Sequence, residues 1–322
     1  MKAVVLAGGY ATRLWPITKN RPKMFLPVGD NVVIDRVFDG LEGDDRIDEV
    51  YVSTNARFAP AFETHLESSS YEKPILSVEE TKHEDEKLGV IGALAQLIDR
   101  ESIDDDLLVI AGDNLISFAI PDFIDFFMDK GNVSLAAYDV GSLERAQSYG
   151  VVALDGDRVI DFQEKPDVPS STLVSIACYA FPHAMLSTLE EYLSGENNSD
   201  EPGWFIGWLQ DRTTVNAFSF NEAWFDIGTP ESYLDAVRWH LDGDSYIAPG
   251  ATVEDSIIGD NVHVLSGAEI VRSNLEDSVI FGDSRIADCE LRECIIDEET
   301  EIQGIDLNGA LIGAHTQITN GR

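Results

Sequence analysis

Apolar positions along this chain follow two rhythms, and the change falls near residue 243. Before it, short apolar runs alternate with segments in which apolar residues recur every three or four positions. Residues 3–7, 50–53, 75–78, 107–111 and 133–138 have the length and β-branching of buried strands. Residues 32–41, 58–66, 90–98 and 123–128 carry the helical spacing. Such alternation predicts an α/β fold, a mostly parallel sheet with helices on both faces. Ligands of these sheets sit outside the carboxyl ends of the strands. The loops after Ala7 and Ala111 can therefore face one pocket. Further on, residues 151–154 and 159–162 predict a hairpin around Asp155-Gly156-Asp157. A strand over 173–181, a helix over 183–193, a polar loop over 195–202, an aromatic-rich strand over 218–225 and a helix over 230–241 follow. They close a first domain at residues 1–242.

After a linker at 243–245 the spacing becomes six. Ile258 and Val264, Ile280 and Ile286, Ile296 and Ile302, and Ile312 and Ile318 are six apart, and Ile257, Val279, Ile295 and Leu311 precede the first members. Gly259, Gly282 and Gly313 fall near the corners. This repeat predicts a β-helical solenoid over residues 243–322, each coil burying aliphatics only against its neighbours. Such a tail would pack on the first domain and on a partner copy, making a homo-oligomer.

Charge narrows the partners. The formal net charge is −37, so no long-range field draws the protein to nucleic acid or anionic membranes. The excess acid reads as a surface adapted to high salt, where a screening length of ~3 Å at about 1 M quenches self-repulsion. Cys178, Cys289 and Cys294 are odd in number and lack metal spacing, which predicts buried free thiols in a reducing compartment. Met1-Lys2 leads straight into the first strand, so no signal peptide is expected, and no run reaches the ~18 apolar residues of a membrane helix. The reading is cytoplasmic. The six histidines form no cluster, and His263 and His315 read as exposed corners of the repeat.

The densest chemistry lies between Val4 and Lys23: Leu6-Ala7-Gly8-Gly9-Tyr10-Ala11-Thr12-Arg13-Leu14-Trp15-Pro16, then Thr18 and Arg21-Pro22-Lys23. The glycines let backbone approach a ligand, and bare N–H groups form an anion-binding concavity. Arg13 can grip phosphate oxygens in pairs, and Lys23 adds a mobile point charge. Together they suggest a polyphosphate site. Neither the Gly-x-Gly-x-x-Gly fingerprint nor a Walker A loop occurs. The string resembles the signature of the sugar-1-phosphate nucleotidylyltransferases, Leu-Ala-Gly-Gly-x-Gly-Thr-Arg-Leu-x-Pro-x-Thr followed by Pro-Lys. Ala11 stands where that family has glycine. Its methyl group either forces another backbone angle or narrows the space beside the phosphates. Gly112-Asp113-Asn114, Tyr149-Gly150-Val151, Glu164-Lys165-Pro166, Trp224 to Thr229 and Leu88-Gly89-Val90 resemble further family segments. At Ser175 and Ala177 the family's Asn and Gly are replaced. The tail resembles the left-handed hexapeptide β-helix many relatives carry there.

This resemblance implies a Rossmann-like nucleotidyltransferase domain with a mostly parallel mixed sheet, then a short left-handed β-helix. It implies Mg²⁺-dependent condensation of a nucleoside triphosphate with a sugar 1-phosphate, giving nucleotide sugar and pyrophosphate. It assigns Leu6, Ala7, Gly8, Gly9, Ala11, Thr12, Arg13, Gly89 and Asp113 to the nucleotide. Gly150, Glu164 and Lys165 go to the sugar phosphate, Asp113 and Asp226 to the metal, and Arg13, Lys23 and Lys165 to catalysis. Without the resemblance, Gly-Asp-Asn and Asp-x-Gly are turn sequences, Gly150 is a strand entry, and Gly89 is a helix start. The charged run 79–87 reads as a solvated loop over the pocket mouth. A phosphate nucleophile, with its second pKa near ~6, needs no general base, which agrees with the lack of a catalytic His, Ser or Cys constellation. The base and sugar stay open. Residues 112–114 favour dTTP or UTP with glucose 1-phosphate, whereas Trp15-Pro16 and Phe25-Leu26 lean toward mannose-1-phosphate guanylyltransferases. A non-catalytic regulatory homologue would show losses among Arg13, Lys23, Asp113 and Asp226, and all four are present. An acyltransferase working through the tail would need a clear His site.

Overall fold

Strand β1, Lys2–Leu6, is apolar on both faces, and Ala3, Val4 and Val5 are fully buried. Such a run suits the centre of a sheet covered on both sides. In the computed structural model, which describes residues 1–79, 89–195 and 197–320, β1 pairs in parallel with two neighbours. The chain divides into two compact units. The first comprises residues 1–8 and 37–224, and the second comprises residues 9–36 and the chain from 225 on.

The first unit is built on nine strands. After β1 come β2 (Glu49–Asn55), β3 (Pro74–Glu79), β4 (Leu107–Ala111), β5 (Val133–Asp139), β6 (Gly150–Asp155), β7 (Arg158–Glu164), β8 (Leu173–Phe181) and β9 (Val215–Phe220). Their order is β3-β2-β1-β4-β8-β5-β9-β7-β6, and β8 also pairs with β6. β3, β2, β1 and β4 run parallel, as do β5 and β9. β8 is antiparallel to β4, β5 and β6, and β7 is antiparallel to β6 and β9. The fold is thus α/β with a mostly parallel mixed sheet. Helix Val90–Arg100 buries Ile91, Leu94 and Leu97 at helical spacing, in a core shared with Val4, Val109 and Leu135.

Two elements depart from the sequence pattern. Pro202–Gln210 is a helix, although its residues gave no helical rhythm; Phe205, Ile206 and Leu209 are buried together. The aromatic strand expected over 218–225 is two strands, β9 and Trp224–Asp226. Glu79 ends β3, half-buried, and is no part of a solvated loop. The rest of that charged run, with Leu88, lies outside the described residues. All three cysteines are buried, free thiols. No helix among the described residues is long and apolar enough to cross a membrane.

The second unit holds the arm of residues 9–36, helix Pro230–Leu241 and a β-helix of three parallel sheets. Two sheets have five strands, starting at Tyr246–Ile247 and Thr252–Glu254, and the third has four, starting at Ile257–Ile258. Register pairing stacks Val264, Ile280, Ile296 and Ile312 in one column and Ile270, Ile286, Ile302 and Ile318 in another. Ile258 belongs to the third column, beneath Leu275 and Leu291. The six-residue pairing of Ile258 with Val264 therefore spans a different corner from the other three pairs. Corners hold residues with φ near 50°, among them Asp255, Asn261, Asp277, Asp283 and Asp288. Asp and Asn tolerate that left-handed conformation better than most residues. Part of the acidic excess is therefore a consequence of turning corners.

His315 sits at a corner, exposed, but His263 does not. It is fully buried in a strand, its ring edge-on to Tyr246 at 5.1 Å, and neither ring nitrogen completes a hydrogen bond among the described residues. Burial first, then His240, lowers its pKa to about 4, against smaller pulls from the Gly29 carbonyl and Asp30. An unfolded histidine protonates near 6.5, so between pH 6.5 and 4 the unfolded chain takes up a proton that the folded one refuses. Stability then falls with pH. Between pH 7 and pH 5 this residue should cost ~2 kcal/mol. Denaturant unfolding of His263→Phe should show that much less acid sensitivity than the parent; equal slopes would refute the assignment.

Candidate active site

The loop after β1 is fixed by side chains at the end of β2. The Ala7 amide donates to the Ser53 carbonyl at 2.8 Å. Thr54 Oγ1 donates to the Ala7 carbonyl at 3.2 Å, and Asn55 Nδ2 to the Gly8 carbonyl at 2.9 Å. The Gly112 amide reaches the Leu6 carbonyl at 3.0 Å, which ties the end of β4 to the end of β1. Leu6, Ala7 and Gly8 thus share one edge with the Asp113 loop. Asn114 then sets Asp113: its Nδ2 donates to Asp113 Oδ1 at 2.9 Å, while its Oδ1 accepts from Trp224 Nε1 at 2.5 Å. Trp224 is buried against Tyr149 and Tyr138. Thr54, Asn55 and the Asn114–Trp224 bond went unread in the sequence, because each acts across strands that no local spacing joins.

Gly89 has φ +78°, and a Cβ there would stand 2.3 Å from the Ser199 carbonyl oxygen. That carbonyl accepts from the Ile91 amide at 3.0 Å. Backbone packing at the start of helix Val90–Arg100 is enough to require this glycine.

A second cluster in the same unit surrounds Glu164. Gly150 pairs with Glu164 across β6 and β7, and Ser175 pairs with Gly150. A Cβ on Gly150 would lie 2.9 Å from Glu164 Oε2, and one on Gly203 only 1.6 Å from it. The carboxyl is thus lodged between two glycines. Burial chiefly, then a hydrogen bond and charge from Glu201, raises its pKa to about 7, and Lys165 opposes this. Lys165 forms an ion pair with Glu201. It holds φ +44°, and its amide donates to the Tyr149 carbonyl at 3.0 Å. Glu201 and Gly203 belong to the start of helix Pro202–Gln210, whereas the sequence pattern predicts a loop over 195–202 and assigns no element to Gly203. The Glu201-Pro202 pair, proline at the first helical turn, was the available signal.

The second unit carries Gly9, Ala11, Thr12, Arg13, Lys23 and Asp226. Ala11 has φ 49° and ψ 46°. This is a left-handed conformation that glycine adopts freely, and in alanine it carries a strain of ~1–2 kcal/mol. Its carbonyl accepts from the Leu14 amide at 3.0 Å and from Thr18 Oγ1 at 2.8 Å. Thr12–Leu14 is a single 3₁₀ turn, so Thr12 and Arg13 stay exposed. Lys23 opens a similar turn after Pro22. Arg13 and Asp226 both approach Gly228. Arg13 Nη2 lies 2.9 Å, and Asp226 Oδ1 3.7 Å, from the point a Gly228 Cβ would occupy. Gly228 and Thr229 amides both donate to Ser232 Oγ at 3.1 Å, and Thr229 caps helix Pro230–Leu241.

Whether this chemistry suits a metal can be judged from the donors. Asp113 and Asp226 offer hard carboxylate oxygens, and among the described residues no three His, Cys, Asp or Glu side chains cluster as a ligand set. Mg²⁺ takes one or two carboxylates and completes its shell with water and substrate phosphates, so each aspartate, taken in its own unit, is a donor of the right chemistry.

Residues 2–242 match the family described as nucleotidyl transferase, and residues 238–318 match the GlmU-like C-terminal hexapeptide family. A provisionally named mannose-1-phosphate guanyltransferase of Sulfolobus acidocaldarius is 30% identical over 287 residues, 85% of this chain and 75% of that one. A glucose-1-phosphate thymidylyltransferase of Streptomyces antibioticus is 26% identical, over 99% of this chain and 94% of that one. A solved structure of a provisionally named glucose-1-phosphate thymidylyltransferase from Bacillus anthracis, in complex with a sucrose, superposes with a TM-score of 0.65. At 24% identity, over 75% of this chain and 96% of that one, it supports the fold.

Proposed function

Because this chain belongs to the nucleotidyl transferase family, we propose that it condenses a nucleoside triphosphate, dTTP or UTP in preference, with glucose 1-phosphate. The observation that carries this reading is that Arg13 Nη2 and Asp226 Oδ1, far apart in sequence, both lie within 4 Å of one point beside Gly228. In the proposed reaction an oxygen of the sugar phosphate attacks the α-phosphorus, and the bond to the β-phosphate oxygen breaks as pyrophosphate leaves. The nucleophile is already ionised, so the protein's task is alignment and charge neutralisation. Arg13 and the amides of the Gly8-Gly9 loop would take the charge growing on pyrophosphate, and Lys23 would grip the triphosphate. Lys165 would hold the sugar phosphate, exchanging Glu201 for it. Glu164 and Gly150 would face the sugar. Mg²⁺ on Asp113 and Asp226, when bound, would neutralise phosphate charge.

A second reading, GTP with mannose 1-phosphate, has the Sulfolobus relative in its favour. Pyrophosphate release from five nucleoside triphosphates against glucose, galactose, mannose and N-acetylglucosamine 1-phosphates, at multimolar KCl with Mg²⁺, separates the two. Release from no pair would defeat both.

Gly203→Ala tests the sugar side. The added methyl group must expel the Glu164 carboxyl, while alanine suits a helix better than glycine by ~1 kcal/mol. The KM for sugar 1-phosphate should rise at least ~10-fold, worth ~1.4 kcal/mol of binding, with no loss of melting temperature. An unchanged KM would remove Glu164 from the sugar site.

A further inference from the structure

Three of the points at which the arm of residues 9–36 docks on its own unit are not used by the proposed reaction. Pro16 packs on the last coils: a Cβ on Gly313 would lie 2.8 Å from Pro16 Cβ and Cγ. Arg21 Nη2 meets Asp297 Oδ1 at 2.7 Å and Glu298 Oε1 at 3.0 Å, and its guanidinium lies 4.6 Å from the centre of the Phe281 ring. The Pro27 carbonyl accepts from the fully buried Tyr233 hydroxyl at 2.7 Å. Arg13 precedes all three points, and Lys23 falls between the second and third.

The Arg21 contact is the specific one. Asp297 is 3% exposed, and its amide is spent on the β-helix ladder, donating to the Ile312 carbonyl at 2.9 Å. A carboxylate so buried costs free energy unless it is paired. Arg21 supplies the charge and flat face that Asp297 and Phe281 accommodate together, and a lysine would offer only a point charge. We propose that Arg21 and Asp297 are positioning residues through which the β-helix holds the arm, and with it Lys23 and Arg13, in the attitude that binds a triphosphate. The inference rests on the functional reading above, and it makes the β-helix part of the catalytic apparatus.

The test uses the full-length chain. Asp297→Asn keeps the side chain's size and removes the charge. The KM for the triphosphate should rise at least ~10-fold while that for sugar 1-phosphate stays within about twofold, a split that general loss of stability would not produce. Amide hydrogen exchange over residues 16–26 should quicken at least ~10-fold, exchange in the β1–β4 sheet staying at the parent rate. If Asp297→Asn fails to fold, Gly313→Ala presses on Pro16 without touching a charge, and the same two changes are expected. Parent-like triphosphate KM and parent-like arm exchange would overturn the brace. Should the parent release no pyrophosphate from any substrate pair, the functional reading fails by itself, and the exchange experiment still decides whether Asp297 holds the arm.

Discussion

Arg13→Ala should lower kcat by roughly two to three orders of magnitude, the loss typical of removing one donor aimed at developing charge. Two observations make this expectation specific. Arg13 is exposed, on a one-turn element that buries only Leu14. Its removal therefore opens no cavity and should leave the melting temperature unchanged. Its guanidinium lies against Gly228, within 4 Å of a point that the Asp226 carboxyl also approaches, where a bound phosphate could be gripped by two N–H groups. Arg13→Lys keeps the charge and loses the fork, so it should recover part of the rate, about a tenth of parent kcat. Steady-state kinetics with saturating substrates decide the matter. Near-parent turnover in Arg13→Ala would take Arg13 out of the reaction.

The sequence carried this residue because its neighbours in the chain announce it. Strand, paired glycines, Arg13 and Lys23 lie within one short stretch, and a local pattern can be read locally. The same holds for β1 and β4, whose apolar runs end at the loops that carry Gly8 and Asp113. What local pattern cannot carry is pairing at a distance. Nothing in residues 9–36 signals that Arg21 will meet Asp297, since only folding brings the two together. Spacing by six announces the β-helix but leaves its phase open, so it does not show that Ile258 and Val264 span a different corner from the other three pairs. His263 looked like a corner residue because polar side chains usually turn outward, yet its strand position faces the interior. Helix Pro202–Gln210 was missed because Trp204, Phe205, Ile206 and Trp208 leave almost no polar face to mark a period. With it went Glu201 and Gly203, the residues that contact Lys165 and Glu164.

Asp226→Asn should lower kcat at least ~100-fold, an effect of the size seen when an electrostatic group at the reacting phosphates is lost. Asparagine fills the same volume, and the turn here is made by backbone, the Gly228 amide donating to the Asp226 carbonyl at 2.9 Å. The fold should therefore survive. What disappears is one negative charge and one hard oxygen donor, so the Mg²⁺ concentration giving half-maximal rate should rise. A second consequence separates this reading from simple damage. In the free protein the Asp226 carboxyl and Arg13 lie within 4 Å of one point, so the carboxylate offsets part of the guanidinium charge that a triphosphate would seek. Removing it should leave the KM for the triphosphate equal or lower even as turnover collapses. Misfolding or a displaced loop would raise that KM instead. Turnover within about twofold of the parent, at unchanged Mg²⁺ requirement, would show that Asp226 only shapes the turn before helix Pro230–Leu241.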